Sequence, residues 1–167
     1  ENDHCEEDVF LAHKRASQTI KAIERNPIGP GKNKKIKIGY VSGDFRNHSV
    51  FYFIHPVLKH HCRNKVEIYA YYTNNRFDSY TTKIKDTVDC WRPVSGLNTK
   101  ALHDVIREDQ IDILIDLSGP TKGNRLDVFK NKPAPIQATW IGYPATTGLG
   151  EIDYRSTDTF VDDVTKN

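Results

Sequence analysis

The sequence predicts an α/β, Rossmann-like fold: a parallel sheet with helices on both faces. Three observations predict it. Strand-like and helix-like patterns alternate about four times along the chain, and such alternation implies right-handed βαβ crossovers. The run Ile111 to Leu117, IDILIDL, is almost wholly apolar, as a strand covered on both faces must be. Turns rich in glycine and polar groups follow the strands, which is where sheets of this type bind ligands.

Each element has its own signal. Residues 8–25 read as an amphipathic helix, because Val9, Ala12, Ala16, Ile20 and Ile23 recur at steps of three and four. NPIGPGKNKK follows, and its prolines, glycines and lysines make it a linker. Residues 35–42, KIKIGYVS, are a strand ending at a glycine turn. Residues 49–61 form a helix with Val50, Phe53, Ile54, Val57 and Leu58 on one face. A strand at 65–73, a helix at 78–88 and a helix at 98–108 come next, the last with Asn98 as its N-cap. After the apolar strand at 111–117 come a short helix at 124–131, a strand at 135–141 and a final short strand at 152–157. Two units follow: residues 1–33, a helix and linker from a preceding module, and 34–167, the sheet domain.

Composition narrows the function. The 167 residues carry 37% hydrophobic side chains, enough for a core, and 28% charged ones, as expected of a soluble protein. No apolar run approaches the roughly 20 residues that a membrane helix needs. The acidic start ENDHCEEDVF has no signal-peptide pattern. The net charge of +2 argues against a nucleic-acid binder. The lack of any methionine points to a chain processed or cut from a longer one. Cys5, Cys62 and Cys90 share no metal-like spacing and read as reduced thiols of an intracellular, cytoplasmic protein. No metal site is expected.

Three loops can carry chemistry. Asp44 and His48 are four apart at a loop-to-helix junction, where an imidazole beside a carboxylate can move a proton. The helix start there favours a phosphate or an oxyanion. The plainer reading is that Asn47 or Ser49 caps the helix and His48 is solvated. Thr121, Lys122 and Arg125 sit beside two glycines, where the cations can neutralise a pyrophosphate or simply form a solvated turn. Trp140-Ile141-Gly142-Tyr143-Pro144 sets two aromatic rings in a stiff loop suited to a peptide or a sugar face, with core packing as the plainer role of Trp140. His60 and His61 end a helix and face its dipole, while His55 and His103 are expected at the surface.

Together these motifs resemble one family. Lys37 to Phe45 with Asn47-His48-Ser49 is similar to the opening of the catalytic region of the protein O-linked N-acetylglucosamine transferases and the Spindly-type protein O-fucosyltransferases. The run Ile113 to Gly119, then Thr121 to Arg125, Pro133 to Gln137, Trp140 to Pro144 with Thr147-Gly148, and Asp153-Tyr154-Arg155 extend the resemblance from about residue 34 to the end. The resemblance implies the N-terminal lobe of a metal-independent, inverting GT-B glycosyltransferase. It implies upstream tetratricopeptide repeats, a C-terminal lobe holding most of the donor, and a fragment that is inactive alone. The donor is UDP-N-acetylglucosamine or GDP-fucose, and the acceptors are Ser or Thr of proteins.

By the same resemblance His48 and Asp44 are the catalytic pair. Arg125, with Thr121 and Lys122, lies near the donor phosphates, and Ile141, Gly142, Tyr143 and Pro144 line the sugar pocket. Pro120 departs from the family's His or Tyr. Val50 matches bacterial and Spindly-type members rather than animal ones, so a fucosyl donor stays open. A non-catalytic phosphate-binding domain, or a scaffold, is the competing reading.

Overall fold

The computed structural model describes residues 35–157 and, upstream of them, Leu11, Ala12, Lys14, Arg15, Ala16 and Gln18. Those six are helical; the rest of the 8–25 helix, the linker up to residue 34 and the boundary at residue 33 lie outside the described residues. The sheet runs β1 (Ile36–Ser42), β2 (Val66–Tyr72), β3 (Cys90–Pro93), β4 (Ile113–Asp116), β5 (Ile136–Trp140) and β6 (Tyr154–Ser156). Four helices join them: α1 (Ser49–His60), α2 (Ser79–Thr87), α3 (Thr99–Glu108) and α4 (Leu126–Phe129).

All six strands are parallel, in the order β3-β2-β1-β4-β5-β6. The chain therefore winds outward from β1 to β3, returns along α3, and winds outward again from β4. The Rossmann-like fold expected from the alternation is the one present. Strand β3 is the element the sequence pattern does not reveal. Cys90-Trp91-Arg92-Pro93 is too short to show an alternation, and it is held by pairing to Tyr69–Tyr72. The remaining elements agree with the sequence to within a few residues.

Successive strand residues point to opposite faces, and each face has its own core. Tyr40, Ile68, Ala70 and Tyr72 pack under α1 and α2 through Ile54, Leu58 and Ile84. Val41, Tyr69, Tyr71 and Leu114 pack under α3 and α4 through Leu102, Ile106, Val128 and Phe129. Side chains cap the starts of α2 and α3, while Arg125 at the start of α4 makes no cap bond. The Asp78 carboxylate accepts the N–H groups of Tyr80 and Thr81, and Asn98 accepts that of Ala101 as its position predicts.

The return along α3 is fixed by one buried acid. Asp109, at the end of α3, accepts the Tyr71 hydroxyl at 2.8 Å and the Arg92 guanidinium through Nε at 3.1 Å and Nη2 at 2.5 Å. A helix end is thereby tied to β2 and β3 together. At the opposite rim the chain after β4 meets the chain after β5. A Cβ on Gly142 would lie 2.1 Å from the Leu117 carbonyl oxygen, and one on Gly119, whose φ is +56°, would lie 2.4 Å from Cβ of Tyr143. No side chain fits between these two segments.

Two stability predictions follow from these joints. Asp109→Ala strands a buried hydroxyl and releases a guanidinium that is itself 44% exposed, so urea unfolding should report a loss of about 2 kcal/mol, and Tyr71→Phe about 1 kcal/mol. Gly142→Ala must move backbone rather than a flexible side chain, and should cost about 3 kcal/mol in the same assay. A wild-type midpoint for Gly142→Ala would show that the two segments are not in contact.

Candidate active site

The strand order reverses between β1 and β4. The segments after these strands diverge there and leave a crevice at the carboxyl edge of the sheet. A cavity of about 580 Å³ occupies that crevice. Gly43, Asp44, Arg46 and His48 line it from the β1 side, Thr73 and Asn74 from the end of β2, Ser118, Thr121, Lys122 and Gly123 from the β4 side, and Gly142 from the β5 side. Such a volume suits a small polar ligand.

The β1 segment is held from below. Phe45 is wholly buried and anchors it. The Asp44 N–H donates to Ser42 Oγ at 2.9 Å, Thr73 N–H donates to the Ser42 carbonyl at 3.0 Å, and Asn74 Nδ2 donates to the Gly43 carbonyl at 3.2 Å. Asn47 N–H donates to Asp78 at 2.8 Å, so the carboxylate that caps α2 also fixes the approach to α1. That N–H is the main cause holding the Asp78 carboxyl below the usual carboxylate range.

His48 is the N-cap of α1, in place of the Asn47 or Ser49 that composition favours. Its Nδ1 accepts the Val50 N–H at 3.3 Å. An accepting Nδ1 carries no hydrogen, so the neutral ring bears its proton on Nε2. Asp44 Oδ2 lies 3.8 Å from the same Nδ1, beyond hydrogen-bond range, and Asp44 Oδ1 is taken by Arg46 Nη2 at 2.9 Å. His48 and Asp44 are therefore neighbours that do not yet share a proton. The His48 side chain is 37% exposed and lines the cavity.

The β4 segment brings Thr121 and Lys122 into the same cavity. Thr121 Oγ1 donates to the Ser118 carbonyl at 2.8 Å. Arg125 is not brought with them. Its side chain is 14% exposed and its guanidinium binds Asp127, through Nε at 3.1 Å and Nη2 at 3.3 Å. Asp127 in turn accepts the Thr99 hydroxyl at 2.5 Å. Arg125 is thus paired with Asp127, and Lys122 is the cation that this segment brings to the cavity, with Arg46 lining it from the β1 side.

Gly142 reaches the main cavity, while Ile141, Tyr143 and Pro144 line a second hollow of about 260 Å³ with Trp140, Arg155 and Ser156. Ile141 has φ +55°, and the Gly142 N–H closes a tight turn across it by donating to the Trp140 carbonyl at 2.7 Å. A β-branched residue in that region is strained, and such strain gathers at functional sites.

Some expectations for the remaining histidines change. His61 is the C-cap of α1 and its Nε2 meets the Tyr40 hydroxyl at 2.8 Å. His55 is half-buried and stacks on Phe51, and His103 is half-buried with Nδ1 3.1 Å from Asp104. Both are partly exposed, each in contact with a residue of its own helix. Arg46, Thr73 and Asn74 were not singled out by the sequence, although inspecting the end of β2 as well as β1, β4 and β5 finds the last two. Among the described residues no group of His, Cys, Asp and Glu could hold a metal ion, and no helix is long and apolar enough to cross a membrane.

The chain is similar to known proteins along most of its length. The model of glycosyl transferase family 41 matches residues 2–166. A Hordeum vulgare protein named "Probable UDP-N-acetylglucosamine--peptide N-acetylglucosaminyltransferase SPINDLY" is 43% identical over 139 residues, covering 81% of this chain and 15% of that protein. The Caenorhabditis elegans UDP-N-acetylglucosamine--peptide N-acetylglucosaminyltransferase is 37% identical over 128 residues, covering 75% of this chain and 11% of that protein. Among solved structures, a mutant of the Thermobaculum terrenum O-GlcNAc transferase superposes with a TM-score of 0.80 at 35% identity, over 87% of this chain and 29% of that one. The chain spans only a small share of these relatives' length. With the sequence, the sheet order and the crevice in agreement, the chain belongs to glycosyl transferase family 41.

Proposed function

We propose that this chain is the acceptor-side, N-terminal lobe of a GT-B protein O-glycosyltransferase. It transfers N-acetylglucosamine from UDP-N-acetylglucosamine, with GDP-fucose as the alternative donor, to Ser or Thr of cytoplasmic proteins. The observation that carries this reading is the crevice between β1 and β4, which sets His48 and Asp44 across from Thr121 and Lys122. Residues 1–33 then belong to an upstream repeat module, 34–167 to this lobe, and the second lobe completes the donor site in the intact protein.

The chemistry runs as a single displacement. The acceptor hydroxyl oxygen bonds to the anomeric carbon as the bond from that carbon to the diphosphate oxygen breaks, so the centre inverts and no enzyme nucleophile is needed. Charge grows on the departing diphosphate, and the Lys122 ammonium meets it. The hydroxyl must lose its proton, and His48 is the ring within the cavity to receive or orient it. As capped, His48 offers Nε2–H and orients the acceptor oxygen by donating to it. It becomes a base at Nε2 only when that nitrogen gives up its hydrogen and Nδ1, released from Val50, carries one instead and hydrogen-bonds through it to Asp44 Oδ2, a closure of about 1 Å from the 3.8 Å observed. Arg46 holds the carboxylate ready for that exchange. No step calls on a metal.

His48 thus has two jobs, and two variants of the intact protein separate them. His48→Asn keeps a side chain that caps well and lacks an imidazole, so transfer should fall at least about tenfold while stability stays within about 0.5 kcal/mol. His48→Ala should lose the same activity and, with the cap, about 1 kcal/mol. Radiolabelled transfer from each donor and urea unfolding read the two effects. Full transfer by His48→Asn would leave His48 as a cap alone.

A further inference from the structure

Asp116 ends β4 directly beneath the cavity rim, is 1% exposed, and has no part in the displacement described above. Every group that meets its carboxylate is a donor. Ser118 N–H reaches Oδ1 at 3.1 Å, Gly119 N–H reaches Oδ2 at 2.7 Å, and the Thr139 hydroxyl reaches Oδ2 at 2.9 Å. Burial pushes the carboxyl upward and these three donors oppose the shift. A neutral side chain would be easier to bury at the end of a strand, so the charge needs a reason.

The geometry supplies one. The carboxylate draws two consecutive N–H groups inward, and the chain bends at once, with Gly119 at φ +56°. The bend aims the Ser118 carbonyl at the Thr121 hydroxyl, 2.8 Å away, and so sets the segment that carries Thr121, Lys122 and Gly123 into the cavity. The third donor, Thr139, precedes Trp140 and the strained turn at Ile141 on β5. One buried acid therefore spans the roots of both ligand-facing segments where they touch.

We propose that Asp116 is a positioning residue for the donor diphosphate: it holds the 118–123 segment, and through Thr139 the Ile141 turn, in the arrangement that receives a nucleotide sugar. This rests on the reading of the cavity as a glycosyl-transfer site. Ser118 and Gly119 turn their N–H groups inward to the acid and Thr121 gives its hydroxyl hydrogen to Ser118, so the diphosphate is met by Lys122 instead.

Asp116→Asn is the sharpest test, because it conserves volume while its amide nitrogen must face at least one of three donors. In the intact protein, donor KM should rise about tenfold with kcat changed less than about threefold, since binding is disturbed and chemistry is not. Hydrogen exchange at the Ser118 and Gly119 amides should quicken at least about tenfold, with the β1 amides unchanged. An unaltered donor KM in a protein whose wild type transfers sugar would overturn the proposal alone. Parallel losses in kcat, KM and thermal stability would reduce Asp116 to a structural residue and overturn it too. A wild type that transfers from neither UDP-N-acetylglucosamine nor GDP-fucose would remove the functional reading, and the proposal with it. If Asp116→Asn does not fold, Thr139→Val keeps the charge and deletes one donor. Its donor KM should rise about threefold, and an unchanged value would overturn the proposal.

Discussion

The pairing of β1 with β4 is the constraint on which the rest depends. Ile38 to Val41 lie alongside Ile113 to Asp116, and this is where the winding of the sheet reverses. On either side of the reversal the helices cross to opposite faces: α1 and α2 on one, α3 and α4 on the other. The segments leaving β1 and β4 must part, and nothing from the sheet itself fills the gap. Had β4 added beside β3, the two segments would lie several strands apart and Lys122 could not share a cavity with His48. The clamp of Asp109 on Tyr71 and Arg92 belongs to the same constraint, because α3 is the connection that carries the chain back across the sheet.

At the rim, the local economy of hydrogen bonds sets what the side chains can do. Helix α1 begins beside the cavity with free N–H groups, and one of them is satisfied by His48 itself. A serine or asparagine cap would leave the imidazole independent of the helix. With histidine as the cap, the ring is held at a fixed place and its tautomer is biased, so the Val50 N–H and the Asp44 carboxylate compete for one nitrogen. The two states differ in which ring nitrogen bears the hydrogen, and only one of them is basic toward the cavity. Asp44 is likewise shared, with Arg46 on one oxygen and the ring near the other.

How much of this was legible in the sequence depended on the range of the interactions involved. Asn98 was readable because a cap is a matter of a few neighbouring residues, and the face of α1 only in part: Val50, Ile54 and Leu58 are buried, but Phe53 is 62% exposed and Phe51 packs inward instead. The buried run at 111–117 was readable because a strand covered on both faces leaves no room for alternation. Strand β3 was not, since Cys90 to Pro93 carry no period and owe their conformation to β2. The His48 cap was hidden because histidine ranks low among capping residues. Arg125 was expected near the donor phosphates with Thr121 and Lys122, and the fold shows its guanidinium bound to Asp127, two residues on. In these cases a contact distant in sequence, or a single side-chain rotamer, lies beyond the local pattern.

The costs in this structure are concentrated. Within the two segments that close the β4 and β5 ends lie a β-branched residue at φ +55°, a glycine at φ +56°, a backbone approach that excludes even a methyl group, and a carboxylate with almost no exposure. Each breaks a local rule, and none of them improves the core, which is already built from Tyr71, Leu114, Ile54 and their neighbours. Features that weaken folding persist when something other than folding depends on them. Gln110 and Lys132 also hold positive φ on other loops, but the β-branched Ile141 does so beside the cavity that Gly142 and Thr121 enter. A surface that holds the Lys122 ammonium over a cavity at a fixed place benefits from being unable to relax.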